Sequence, residues 1–287
     1  MFKRQKTGSV VCASCGSLVG VNDEKCYTCG RRNPGLWGFA PVLRRLGNDL
    51  GFVPLIVYGC SALYAVAILM SLARGANPLG GGSPLNILSP SSGIQVLLGA
   101  SGALPFFQLG MWWTVLSAGW LHGSILHIFF NMMWVRNVGP ATAELYGGPR
   151  MVIIYTIASV TGFLFSSFLG LFRLPLFGAG LTVGASAPIF GLFGALMYYG
   201  RRSGSSLIHS EAKGYAVAIF AFGLIFPGVD NAAHLGGLGG GYLAAMWLDP
   251  LKPERVNHMV GALVCLVATA LAIVASIVKI YPLLPYL

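Results

Sequence analysis

Two short stretches put reactive side chains where an apolar segment has little use for them. Gly184-Ala185-Ser186-Ala187-Pro188 opens one apolar run with a serine, and Ala233-His234 opens a later one with a histidine. An unpaired polar side chain is costly inside a membrane, so such a pair implies use. A serine hydroxyl is a weak nucleophile until a neighbouring base takes its proton, and neutral histidine is the usual base near neutral pH. At a helix start, Ser186 has free backbone N–H groups and the positive end of the helix dipole beside it. Pro188 fits that position, since proline is tolerated in a first helical turn. His127 and Asn131, four residues apart, add side-chain donors for the oxyanion of a tetrahedral intermediate. Asp230, the acidic residue nearest His234, falls in a predicted loop. The chemistry is therefore that of a serine hydrolase working by a Ser186–His234 dyad.

Each residue also has a plainer role open to it. A lone serine in a Gly/Ala-rich helix packs, and a lone histidine bonds a carbonyl. A His127–Asn131 pair joins helices at about 0.6 kcal/mol per contact. His122 suits either role, and His209 and His258 are expected to be solvated in inner loops. Only the joint pattern favours catalysis.

The elements that must position these groups are membrane helices. The chain is 55% hydrophobic and 9% charged, with a mean hydropathy of +0.74. Soluble domains carry about 25% charged residues, too many for this chain to be one of them. Seven spans are expected, at 52–72, 116–135, 150–172, 186–200, 214–227, 231–248 and 259–281. The first, third and last have the roughly 20 apolar residues that a bilayer crossing needs. The fourth to sixth are short and rich in small residues (Gly191, Gly194, Gly237, Gly240, Gly241), which lets helices approach closely at the centre of a bundle. The start, Met1-Phe-Lys-Arg-Gln-Lys, has no secretory-signal character.

With the N-terminus in the cytoplasm, the basic residues divide unequally. Lys3, Arg4, Lys6, Lys25, Arg31, Arg32, Arg44, Arg45, Arg136, Arg150, Arg201, Arg202, Lys213, Lys252 and Arg255 fall inside, and Arg74, Arg173 and Lys279 outside. That is the positive-inside pattern. It accounts for the net charge of +10 without nucleic acid. In this topology Ser186, His234 and the His122–Asn131 stretch all converge near the outer face. The acid-free inner spans argue against an ion-coupled transporter.

Several motifs together resemble the rhomboid intramembrane serine proteases over roughly residues 50–250. Gly184-Ala-Ser186 is similar to that family's nucleophile motif, and Ala233-His234 with Gly237 and Gly241 to its histidine helix. Leu121-His122 through His127-Ile-Phe-Phe-Asn131 resembles its second-helix motif, whose histidine and asparagine help form the oxyanion hole. Glu144 with Gly148 and Gly110-Met-Trp112-Trp113 resemble two of its loops. The resemblance implies an all-α rhomboid-like six-helix bundle, here with a seventh C-terminal transmembrane helix. It also implies transmembrane protein substrates cut near the outer face, and no cofactor for catalysis. Two positions depart from the family: Ala187 replaces a glycine after the nucleophile, and Thr114 replaces an arginine after Trp113. Gly99-Ala100-Ser101-Gly102 mimics the nucleophile motif but lies in the outer loop, so Ser101 is read as a loop residue. The alternative function is a catalytically inactive rhomboid-like protein that binds transmembrane clients.

The N-terminus carries separate chemistry. Cys12-Ala-Ser-Cys15 and Cys26-Tyr-Thr-Cys29 are two Cys-x-x-Cys knuckles, the spacing of a four-thiolate structural zinc site. Two disulfides are the alternative, disfavoured in a reducing cytoplasm. The site resembles a small zinc ribbon, with a protein partner as its possible role. Cys60 and Cys265 fall in apolar spans and are read as core. The expected organisation is thus a zinc-ribbon-like module at 1–35, a juxtamembrane linker at 36–50 suited to an anionic inner leaflet, a catalytic membrane domain at 51–250, and an extra helix in 251–287. The chain is expected to be a multi-pass protein of the plasma membrane.

Overall fold

The computed structural model describes residues 4–44, 47, 49–77, 87–172, 177–226 and 228–286. Lys3, Arg45 and Arg173 of the charge tally lie outside the described residues. After a β-hairpin, β1 (Ser9–Val11) and β2 (Leu18–Gly20), the chain is helical: α1 (Ala40–Arg44), α2 (Phe52–Ala73), α3 (Ser92–Leu98), α4 (Thr114–Ser117), α5 (Ile125–Tyr146), α6 (Gly148–Gly170), α7 (Ser186–Ser203), α8 (Ser206–Ile225), α9 (Asn231–Leu248) and α10 (Val256–Ile280). By length and composition α2, α6 and α10 are able to cross a membrane, and they are the three expected from the sequence.

Two expected spans move. The second begins at Ile125, not 116, because Ser124 caps α5 by accepting from His127 N–H at 3.2 Å. The stretch before it breaks into α4 and a 3-10 turn (Ala118–Trp120). The fifth begins at Ser206, not 214, again behind a serine cap, Ser205. Its early start puts His209 on a helix, bonded to the Met197 carbonyl at 3.0 Å, not in a solvated loop. His258 likewise sits in the first turn of α10, where its Nδ1 accepts from Arg255 N–H.

The centre of the bundle is a seam of small residues. A Cβ on Gly241 would stand 2.2 Å from the Gly191 carbonyl oxygen, and one on Gly237 2.2 Å from that of Ala187. Here α7 and α9 touch backbone to backbone, which only small residues permit. Arg150, buried at the opposite end, donates from Nη1 to the carbonyls of Leu248, Asp249 and Lys252, each at 2.9 Å. It thereby satisfies the last carbonyl of α9, that of its cap and one in the turn beyond, groups the helix cannot satisfy itself.

The N-terminal module docks onto this end. Arg31 Nη1 meets Glu254 Oε2 at 2.7 Å, with both side chains buried. Burial holds the Glu254 carboxyl above the usual carboxylate range, although Arg31 and Arg150 oppose this.

Candidate active site

Ser186 is the first residue of α7, and Gly184 delivers it there. Gly184 has φ +134°, a conformation that L side chains resist, and its N–H donates to the Ala118 carbonyl at 2.9 Å. The space a Cβ would fill there lies 2.6 Å from His127 Nε2 and 3.7 Å from Ser186 Oγ. A side chain at 184 would thus displace His127 from the serine. Proline at 188 has no N–H, and Ile189 N–H is the first to bond back, to Ala185. The N–H groups of Ser186 and Ala187 have no acceptor within the helix.

His234 lies one turn into α9, 2% exposed. Its ring stacks on Phe190 at 4.1 Å and 8°, and Phe190 shares a helix face with Ser186, four residues earlier. Nδ1 pairs with Asn231 Oδ1 at 3.2 Å. An amide oxygen only accepts, so Nδ1 carries the proton and Nε2 keeps its lone pair. Asn231 is itself fixed, fully buried and donating to the Phe220 carbonyl of α8 at 3.2 Å. Sequence reasoning missed Asn231, looking for a carboxylate. Asp230 lies in the loop before α9, as expected, and caps that helix, accepting from Ala233 N–H and from the Ser166 hydroxyl and not from His234. Among the described residues, no hydrogen bond joins Ser186 to His234.

The second-helix residues gather at the same place. His127 Nδ1 accepts from Gly123 N–H at 3.2 Å, which leaves the proton on Nε2, the nitrogen nearest Gly184. Asn131 spends one amide hydrogen on the His127 carbonyl at 3.0 Å and has a second to offer. His122 accepts from Ala185 N–H at 3.5 Å, and its ring packs edge-on to that of His127. It braces the backbone that leads into Ser186.

The two departures from the expected motif find specific neighbours. The extra methyl of Ala187 faces Gly162 of α6, where an added Cβ would lie 2.8 Å from Ala187 Cβ and 2.7 Å from the Ala233 carbonyl oxygen. Gly162→Ala is therefore expected to cost about 1–3 kcal/mol, the usual range for overpacking. Pairing it with Ala187→Gly should recover part of that, read as melting temperature in detergent. Thr114 is buried, its hydroxyl bonded to the Met111 carbonyl and to Ser101. Ser101 is a loop residue as expected, buried and also paired with Ser167. The C-terminal helix α10 holds this loop: Trp113 Nε1 donates to Ser276 Oγ at 3.0 Å, and Lys279 donates to the Leu109 carbonyl.

The four N-terminal cysteines form a second centre. Their sulfurs lie within 4.8 Å of one another, with Cys12–Cys29 at 3.8 Å and Cys15–Cys26 at 3.7 Å. Sulfurs about 2.3 Å from one tetrahedral zinc stand roughly 3.8 Å apart, so the set fits that ion and leaves no open position. Gly16 and Gly30 close the knuckles at φ +79° and +74°, their N–H groups bonding the carbonyls of Cys12 and Cys26. Burial raises the Cys12 thiol, and raises that of Cys29 to about 12. Burial also works against ionisation of Cys15, but hydrogen bonds from Ser17 outweigh it and bring that thiol down to about 6.

Residues 109–250 match the family model for the Rhomboid domain. Among curated proteins, the chain is 33% identical over 164 residues to the Rhomboid protease GluP of Bacillus subtilis, covering 56% of this chain and 31% of that protein. It is 30% identical over 214 residues to RHOMBOID-like protein 1 of Arabidopsis thaliana, covering 67% and 51%. It is 28% identical over 260 residues to the Rhomboid-like protease 2 of Toxoplasma gondii, covering 86% and 80%. The chain thus spans about a third of the first relative and half of the second.

Proposed function

The chain belongs to the rhomboid family, and from that premise we propose that it is an intramembrane serine endopeptidase that cuts transmembrane proteins near the outer membrane face. The observation that carries the reading is His234, stacked over the first turns of α7 with Nδ1 tied to Asn231 and Nε2 left as a base. Ser186 Oγ attacks the scissile carbonyl carbon while its proton passes to His234 Nε2. The oxyanion receives hydrogen bonds from His127 Nε2–H, the spare Asn131 amide hydrogen and the N–H groups of α7's first turn. His234 returns the proton to the departing amine, and water then repeats the sequence to free the serine. Asn231 is a positioning residue, holding the histidine tautomer as a carboxylate does in a triad.

No cofactor takes part in these steps. Cys12, Cys15, Cys26 and Cys29 would hold one zinc, which fastens the module and does no chemistry. One zinc per chain is expected by native mass measurement, with a lower melting temperature after chelation. A metal-replete protein without zinc would refute the assignment. The division at residues 35, 50 and 250, the cytoplasmic N-terminus and the plasma membrane location belong to the same proposal, on the strength of the charge asymmetry.

The competing reading, an inactive protein that binds transmembrane clients, is favoured only by the unformed Ser186–His234 hydrogen bond. Such bonds are often loose until substrate binds. Labelling by a fluorophosphonate probe separates the two. Wild type should react, and Ser186→Ala and His234→Ala should not. A folded wild type that stays unlabelled by this probe and by a mechanism-based coumarin would favour the inactive reading.

A further inference from the structure

Arg136 stands near the middle of α5, at one end of an apolar groove. It lies 11 residues from the start of α5 and 10 from its end, and its side chain is exposed. None of the eight acidic residues lines the groove into which it faces, and among the described residues it has neither hydrogen bond nor ion pair. A basic side chain beside an apolar groove between helices suits an anionic headgroup that carries an apolar tail.

The groove says which anion. It is an open groove of about 560 Å³ between α2 and α5. Ile125, Phe129 and Met132 form its α5 wall at helical spacing, and Val57, Ser61 and Tyr64 its α2 wall. At one end Ile125 N–H donates to the Ile87 carbonyl, and the Tyr64 hydroxyl to that of Leu88. The other end is Arg136. The two helices are in register there, since a Cβ on Gly139, three residues past Arg136, would touch Val53 at 2.8 Å. Arg136 therefore stands opposite Val57, five residues into α2 and about 7 Å from its start at Phe52. That depth lets an arginine side chain snorkel to the interface. From Arg136 to Ile125 the groove runs about 16 Å along α5, roughly half the thickness of a hydrocarbon core.

We propose that this groove binds one anionic glycerophospholipid from the leaflet at the Phe52 end of α2. Its phosphate pairs with Arg136, and one acyl chain lies along the apolar groove toward Ile125. A bidentate guanidinium–phosphate contact supplies the missing counter-charge, and the walls take the chain.

Native mass spectrometry of the delipidated full chain, titrated with phosphatidylglycerol and with phosphatidylcholine of the same acyl chains, tests this. Wild type should retain one phosphatidylglycerol at least about tenfold more tightly than phosphatidylcholine. R136Q should lose that preference, and S61W, which fills the groove and leaves the charge alone, should lose binding of the chain. Both variants should melt like wild type in lipid-free detergent. Equal retention by R136Q, or capture at this groove of a carboxylate-bearing transmembrane peptide instead of lipid, would overturn the proposal.

Discussion

Ser186→Ala and His234→Ala should each reduce kcat for cleavage of a transmembrane reporter by on the order of 10⁴- to 10⁶-fold, and the double variant should be no worse than either alone. In the proposed dyad the two act as one unit: a serine with no base keeps its proton, and a base with no serine has none to take. Losses that add in the double variant would mean that His234 acts on something other than Ser186. Asn231→Leu has a smaller effect, because the ring remains stacked on Phe190 while Nδ1 loses its acceptor. Its signature is a fall in kcat with KM unchanged, since Asn231 is fully buried and has no surface to offer a substrate.

The largest effect on stability should come from Arg31. Removing one partner of a buried ion pair leaves the other charge uncompensated, at a cost of about 3–5 kcal/mol, whereas replacing both with apolar residues is often neutral or stabilising. Arg31→Ala should thus unfold or detach the N-terminal module, and Arg31→Leu with Glu254→Leu should restore it. The pH dependence follows from Glu254, whose carboxyl burial already raises. A raised acid contributes stability fully below its unfolded value and loses it as pH rises through the folded value. Without Arg31 the carboxyl rises further. The Arg31→Ala deficit should then be large at neutral pH and shrink as the pH falls toward the ordinary carboxylate value near 4. Limited proteolysis across pH measures it. A deficit that is constant over that range would remove Glu254 from the explanation.

What could be read in advance and what could not divide along a physical line. The spans α2, α6 and α10 announce themselves by continuous apolar character, and the cysteine knuckles by spacing. Ser186 and His234 stand out because the residues around them are so uniformly apolar. The starts of α5 and α8 were misplaced because hydropathy does not register a serine cap. Asn231 was missed because its role depends on which neighbour its amide faces. The Arg31–Glu254 pair and the Trp113–Ser276 bond join residues 223 and 163 positions apart. Contacts of that kind leave no period or motif in a sequence, only in the folded chain.

The glycine seam between α7 and α9 also bears on how the bilayer acts on this molecule. Where backbones meet directly there are no rotamers to rearrange, and sliding α9 by one residue would put Leu238 where Gly237 now clears the Ala187 carbonyl. A slip the other way puts Gly236 and Gly240 in the places of Gly237 and Gly241, so in that direction the close backbone contact, not residue size, holds the alignment. A thinner or thicker bilayer is accommodated by tilting helices at a modest cost per ångström, so α7 and α9 should tilt together as one piece. The separation of serine and histidine would then be the same in every lipid. Turnover that varies with bilayer thickness would be telling of how substrates arrive, not of how the peptide bond is broken.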